Sequence, residues 1–267
     1  ISKYGNQLAK IAEKNKVNLE FEASVCGGVP IIRSLKEGLI ANKISKIYGI
    51  FNGTSNYILS SMDRENKSFD EVLNDAKKLG YAESNASADL NGDDVSAKLK
   101  ILSSLCFNSF LNDNIYVEGI KNIDKTDINN ANKLGYKIKL LGYAELLNNK
   151  IYQRVHPTLI RKSSYVGSID GVLNAVIIDG KPVGQSIIQG EGAGPEATTS
   201  ALISDISSVL RGNVKFPFSL SGKERKKLKF NNISDRYFSA YFRLEVLDKS
   251  GVLSNITNIF SKNKVSI

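Results

Sequence analysis

The sequence predicts an α/β fold built on a mixed β-sheet, and three observations carry that prediction. Helical apolar spacing and short strand-like runs alternate through residues 1–110. After residue 110 the period shortens, and long strand patterns are joined by Asn-rich and Gly-rich turns. Helical spacing then returns beyond a glycine-rich turn at 190–195. With 267 residues, 42% apolar and 24% charged, the chain has the composition of a globular protein of one large or two modest domains.

Taken in order, Leu8, Ile11 and Ala12 place a helix within the first fifteen residues, and Val17–Phe21 reads as a strand. Gly27 and Gly28 permit close backbone approach, and Pro30 suits the first position of a helix. Residues 44–51 read as a strand closed by Asn52-Gly53, a turn signal, with Thr54 expected to cap a helix from Ser55 to Met62. Ser68 and Glu71 form a capping-box pattern for a helix over 70–79, which Gly80 ends. A further helix is expected from about Asp93 to Cys106. Tyr136–Leu147 and Ile151–Ile160 read as strands joined by Asn148-Asn149-Lys150, and Ala175–Ile178 and Val183–Ile188 as strands flanking an Asp179-Gly180 turn. Gly190 to Pro195 follows a strand and opens a helix to Leu210, a phosphate-loop-like arrangement that is a weak signal alone. A polar, basic linker covers 212–236, Tyr237–Leu247 alternates as a strand, and Val252–Phe260 is helical.

The helix at 93–106 carries the chemistry. On a helical wheel Val95, Leu99, Leu102, Leu105 and Cys106 share one arc, while Ser96, Lys100, Ser103 and Ser104 define the wet side. Asp94 and Lys98, four residues apart, fall beside Leu105 inside the apolar arc, where a charge is costly without a partner or a task. A structural ion pair at the edge of a core would look the same. The preceding loop adds Glu83 and Asp89, so three carboxylates and a lysine surround one helix N-terminus, a set able to hold a small zwitterion without a metal. Solvated turn and cap residues are the competing reading for the loop carboxylates.

Composition excludes several classes. The net charge of +9 comes from lysines spread along the chain, with one dense run at 223–229, and no aromatic-interleaved basic stripe suggests a nucleic-acid groove. No apolar run approaches a membrane span. Cys26 and Cys106 lack disulfide or zinc spacing and read as buried thiols of a reducing compartment, the cytoplasm. His156 is the sole histidine, which removes multi-histidine metal sites, and it reads as structural.

Three runs, FEASVCGGVPII at 21–32, IYGIFNGTSNYIL at 47–59 and GYAESNASADLNGDDVSAKLKILSSLCFN from residue 80, resemble homoserine dehydrogenase in order and spacing. A weaker likeness continues to about residue 211, and Asn85 and Ala86 stand where that family usually has Asp and Pro. The resemblance implies hydride transfer between L-homoserine and L-aspartate 4-semialdehyde with NADP or NAD, in threonine, methionine and isoleucine biosynthesis. It implies Lys98 and Asp94 as catalytic, Tyr81, Glu83, Asp89 and Thr54 at the substrate, and Gly53 and Gly194 at the cofactor. Glu22 and the carbonyls of Val25, Gly27 and Val29 would hold a monovalent cation, usually sodium.

The implied division is the end of a Rossmann-type nucleotide-binding domain (1–22), a substrate and dimerisation domain (23–194), a helix returning to the nucleotide domain (195–211), the linker (212–236), and the start of an ACT (ferredoxin-like) regulatory domain (237–267). The first half of the nucleotide domain is expected upstream of Ile1, because no G-x-G-x-x-G follows a strand near the start. A homodimer or homotetramer with threonine as feedback inhibitor would follow, with no nucleic-acid or membrane partner. A non-enzymatic amino-acid sensor using the same carboxylates is the alternative.

Overall fold

The computed structural model describes residues 1–212 and 216–266, and it divides into two units, Ile1–Asp235 and Arg236–Ile267. Residues 213–215 of the expected linker and residue 267 of the expected regulatory domain lie outside the described residues.

The first unit is organised on strand β1 (Lys43–Ile50). It runs antiparallel between β3 (Tyr136–Leu147) and β5 (Leu173–Lys181). With β2 (Tyr116–Val117), β4 (Lys150–Arg161) and β6 (Gly184–Glu191), the order is β2-β4-β3-β1-β5-β6, and β7 (Lys229–Phe230) pairs with β4. Strands β2 and β7 are parallel to β4, which makes the sheet mixed as expected. The β3–β4 hairpin turns on two residues, Asn148 and Asn149, both at positive φ, the pattern a type I′ turn demands.

Helices α3 (Gly53–Glu65), α6 (Asp93–Cys106) and α7 (Lys125–Lys133) pack on one face of this sheet. Their apolar side chains meet Ile47, Leu140, Ala144 and Val155 in the main core, where Val95, Leu99 and Leu102 of α6 are fully buried. The opposite face carries a smaller cluster, Ile50, Leu141, Val166, Ile169, Ala175 and Ile177, with Tyr48, Ile160 and Leu173 half-buried over it. Helix α4 (Phe69–Lys78) starts with the expected capping box: the Ser68 amide donates to Glu71 Oε2 at 2.8 Å and the Glu71 amide to Ser68 Oγ at 3.4 Å. Ser68→Ala should cost about 1 kcal/mol, read as a lower denaturant midpoint at unchanged m-value.

Several expectations need correction. Residues 17–21 form no strand, and in α1 (Gly5–Asn15) the buried residues are Gly5, Ala9 and Ala12, while Leu8 and Ile11 face outward. The β5–β6 turn falls at Lys181 to Val183 rather than Asp179-Gly180, since Asp179 pairs with Gln185 and Gly180 with Gly184. Asp179 is held in the strand by Lys46 at 2.5 Å, and Pro182, which has no N–H for a ladder, takes the turn. Ser103 and Ser104 of α6 are buried, not wet. Ser103 Oγ donates to Gln153 of β4 and Ser104 Oγ to the Ser109 carbonyl, so α6 is covered on that side too.

In the second unit, α9 (Val252–Lys262) follows Gly251 at φ 88°. Phe242 lies 5.8 Å from Phe260, centroid to centroid. Residues 237–247 form no strand; Phe238, Phe242, Leu244 and Val246 are more than half exposed. Alternation marks a face, but a strand also needs a neighbour to pair with.

Candidate active site

The chain leaves β1 at Ile50, buries Phe51 and enters α3 through Asn52, which is the N-cap: its Oδ1 accepts the Ser55 amide at 2.8 Å. The expected cap, Thr54, instead donates its hydroxyl to the Tyr81 carbonyl at 2.7 Å, tying α3 to the loop after α4. Asn was the available signal, because Asn is among the strongest N-cap residues. The Asn-Gly pair read as a turn hid it.

Asn52 Nδ2 donates to Asp89 Oδ1 at 2.7 Å and to Asp94 Oδ2 at 2.8 Å. Asp89 lies on the short helix α5 (Ser87–Asn91) and Asp94 in the first turn of α6, separated by Gly92 at φ 86°. Lys98 Nζ donates to Asp94 Oδ2 at 2.8 Å and to the Phe51 carbonyl at 2.9 Å. The two side chains are 17% and 28% exposed, Lys98 and Asp94 respectively, so the pair sits at the rim of the core rather than within it. An ammonium has three N–H groups, and two of Lys98's are engaged, leaving one for a ligand. Burial pushes the Asp89 carboxyl above its usual range, Asn52 opposes that by hydrogen bonding, the Asp94 charge adds to it, and Lys98 counters it.

The structure therefore brings Thr54, Asp89, Asp94 and Lys98 together. Tyr81 borders them through its carbonyl, with its ring 5.0 Å from that of Tyr57. Glu83 stands apart, exposed on the loop with no side-chain partner among the described residues. Gly53 lacks a side chain for an internal reason: a Cβ there would lie 2.7 Å from the Val172 carbonyl.

A second wall faces this cluster. Glu22 is buried, and its two carboxylate oxygens accept the amides of Ile32 and Arg33 at 2.8 and 2.7 Å, capping α2 (Ile31–Arg33). Desolvation raises the Glu22 pKa against those hydrogen bonds. Asp205 of α8 (Pro195–Leu210) accepts the Glu22 amide at 2.9 Å and lies 3.4 Å from Arg33, a tie with no periodic signal in the sequence. The loop 25–29 then packs on the end of β6: Gly28 donates to the Glu191 carbonyl at 3.0 Å, and a Cβ on Gly27 would lie 2.6 Å from the Gly192 carbonyl. Cys26 in this loop feels both Lys98 and Asp94; burial dominates and pushes its thiol up to about 11. Gly194, at φ 109°, stands exposed at the head of α8 with open space where a Cβ would point. Among the described residues no group of three or more His, Cys, Asp or Glu could hold a metal ion.

Lys139 was not singled out by the sequence, yet it braces the first turns of α3 through Asn56 and Ser60. It is 1% exposed and donates to Asn56 Oδ1 at 2.9 Å, the Ile169 carbonyl at 2.6 Å and Asp170 at 2.8 Å. A lysine inside an apolar strand pattern was the signal.

A family model described as homoserine dehydrogenase matches residues 30–207. The homoserine dehydrogenase of Neisseria gonorrhoeae is 39% identical over all of this chain and 63% of its own length, and that of Helicobacter pylori 44% over 92% and 58%. A crystal structure of a homoserine dehydrogenase from Thiobacillus denitrificans superposes with a TM-score of 0.88 at 37% identity, covering 98% of this chain and 62% of that one. A hyperthermophilic archaeal homoserine dehydrogenase mutant in complex with NADPH superposes with a TM-score of 0.69 at 28% identity, over 79% and 61%. The chain thus spans less than two thirds of these relatives.

Proposed function

The chain belongs to the homoserine dehydrogenase family, and from that premise we propose that the protein carrying it interconverts L-homoserine and L-aspartate 4-semialdehyde with NADP or NAD, in threonine, methionine and isoleucine biosynthesis. The observation that supports this most is the Asn52–Asp89–Asp94–Lys98 cluster, in which a lysine keeps one N–H unengaged beside paired carboxylates.

Asp89 takes the substrate's α-ammonium, Glu83 offers a second carboxylate from the exposed loop after α4, and Thr54 and Tyr81 border the substrate backbone. Lys98 faces the reacting oxygen. In the reductive direction Lys98 Nζ gives a proton to the substrate's carbonyl oxygen, and in the oxidative direction it takes the hydroxyl proton back. Asp94 orients Lys98 through their 2.8 Å hydrogen bond. The nicotinamide ring, when bound, supplies or receives the hydride. The open head of α8 at Gly194 fits a phosphate-bearing cofactor, as helix N-termini favour anions. For Gly53 the support is its position beside Asn52 alone. The all-oxygen set of Glu22, Val25, Gly27 and Val29 suits a hard monovalent cation such as sodium, with the Glu22 oxygens using lone pairs not engaged by Ile32 and Arg33.

The wider reading rests on the same family. Residues 1–22 and 195–211 are assigned to a Rossmann-type nucleotide domain, 23–194 to the substrate and dimerisation domain, 212–236 to a linker, and 237–267 to the start of an ACT domain where threonine would act. Pairing into a dimer or tetramer would use the sheet face bearing Tyr48, Ile160 and Leu173. Free Cys26 and Cys106 are in keeping with the cytoplasm. No helix among the described residues is long and apolar enough to cross a membrane.

The test follows reduced nicotinamide formation by the full-length gene product with L-homoserine. Turnover on the order of 1–1,000 s⁻¹ is expected. A folded protein that binds cofactor and L-homoserine but transfers no hydride would replace this reading with the sensor.

A further inference from the structure

We propose that Asn52 is a positioning residue that holds Asp89 and Asp94 together as an ionised pair and thereby sets the lower pH limit of L-homoserine binding. The proposal rests on the substrate site described above and adds a role for a side chain that touches no reacting atom.

The geometry constrains Asn52 closely. It is 5% exposed, and its Oδ1 is fixed by the Ser55 amide, so its Nδ2 must face the carboxylates. Reversing the amide would set the Ser55 donor against a donor and both carboxylates against an acceptor. One nitrogen with two N–H groups therefore serves two acids, at 2.7 and 2.8 Å. Those acids come from different helices, and among the described residues Asn52 is the side chain that donates to both. Burial and the Asp94 charge raise the proton affinity of Asp89, and Asn52 opposes them by donating to its charged form.

The groups facing the pair come from four elements. Asn52 and Thr54 belong to the start of α3, and Lys98 to α6 beside Asp94. Tyr81 lies on the loop after α4, and Cys26 on the loop facing the cluster. Of these only Lys98 is positive; it hydrogen-bonds Asp94 and acts on Asp89 through its charge. Asn52 is thus the side chain that supplies Asp89 and Asp94 with a common neutral donor. Both must be charged if the pair is to attract an ammonium while still orienting Lys98.

Asn52→Asp tests this, because aspartate keeps the volume and the N-cap acceptor while removing both N–H donors and adding a third negative charge. Asn52→Ser is the uncharged companion, which also retains a cap. The measurements use the full-length gene product: kcat/KM for L-homoserine and its calorimetric binding, each from pH 5 to 9, with KM for the nicotinamide cofactor and Tm alongside. The acid limb of kcat/KM and of L-homoserine binding should move up by about one to two pH units in Asn52→Asp and by less in Asn52→Ser. Cofactor KM should stay near the parent's. Variants that lose activity uniformly across pH, with the acid limb in place, would reduce Asn52 to a helix cap and overturn the proposal. A parent that binds L-homoserine without turnover would sink the dehydrogenase reading, and the binding limb would still decide the role of Asn52. A parent that does neither would overturn both.

Discussion

Replacing Lys98 with alanine is expected to lower kcat by about 10²–10⁴-fold, with KM for L-homoserine changed far less. The expectation follows from the placement of one nitrogen. Lys98 Nζ is fixed from two sides, by the Phe51 carbonyl at 2.9 Å and Asp94 at 2.8 Å, so its remaining N–H has a defined direction. Alanine removes the proton donor and leaves the carboxylates that bind the ammonium. Asp94 keeps its Asn52 hydrogen bond and is 28% exposed, so water can replace the lost partner and the fold should survive. Thermal unfolding close to the parent's, together with a collapsed kcat, would place Lys98 in the chemistry. Partial recovery by a small primary amine in solution would strengthen that conclusion. A kcat within a few-fold of the parent's would leave Asp94–Lys98 as a structural ion pair, the other reading of the helical wheel.

That wheel shows how far pattern alone reaches. Helix α6 begins at Asp93 and ends at Cys106, as its apolar period predicted, because that signal is local. The capping box at Ser68 and the Asn148-Asn149 hairpin are local for the same reason. The burial of Ser103 and Ser104 was not legible, since it depends on Gln153 and Ser109 arriving from elsewhere in the chain. The strand expected at 237–247 failed on the same ground: its alternation is present, but no neighbouring strand pairs with it among the described residues.

The candidate site was legible in its charges and not in its neutral parts. Asp89, Asp94 and Lys98 stood out because carboxylates and a lysine on an apolar arc need an explanation. Asn52 did not, because an asparagine before a glycine has an ordinary reading as a turn. Its two roles, as cap and as donor to two acids, emerge only when α5 and α6 come to rest beside α3. Glu83 was grouped with the other carboxylates by sequence proximity, and the fold leaves it on the exposed loop.

The same dependence of the site on remote packing yields the second large effect, at Gly142. This residue lies in β3 opposite Gly49 of β1 and Val155 of β4, with its missing side chain facing the helix layer. A Cβ there would lie 2.6 Å from Cε2 of Phe51 and 3.1 Å from a methyl of Val95. Phe51 is fully buried, so its ring has no solvent to swing into. Gly142→Ala should therefore destabilise the protein by about 1–3 kcal/mol through overpacking, lowering Tm by roughly 2–4 °C for each kcal/mol. The damage should not stop at stability. Phe51 presents the carbonyl that holds Lys98 and directly precedes Asn52, so displacing its ring shifts both. A fall in kcat of about tenfold or more is expected from a substitution that touches no substrate. Phe51→Leu shortens the side chain that Gly142→Ala strikes, and the double variant should be more stable than the two single losses added together. If the losses simply add, Phe51 is not what the glycine makes room for, and the coupling between this strand and Lys98 falls with it.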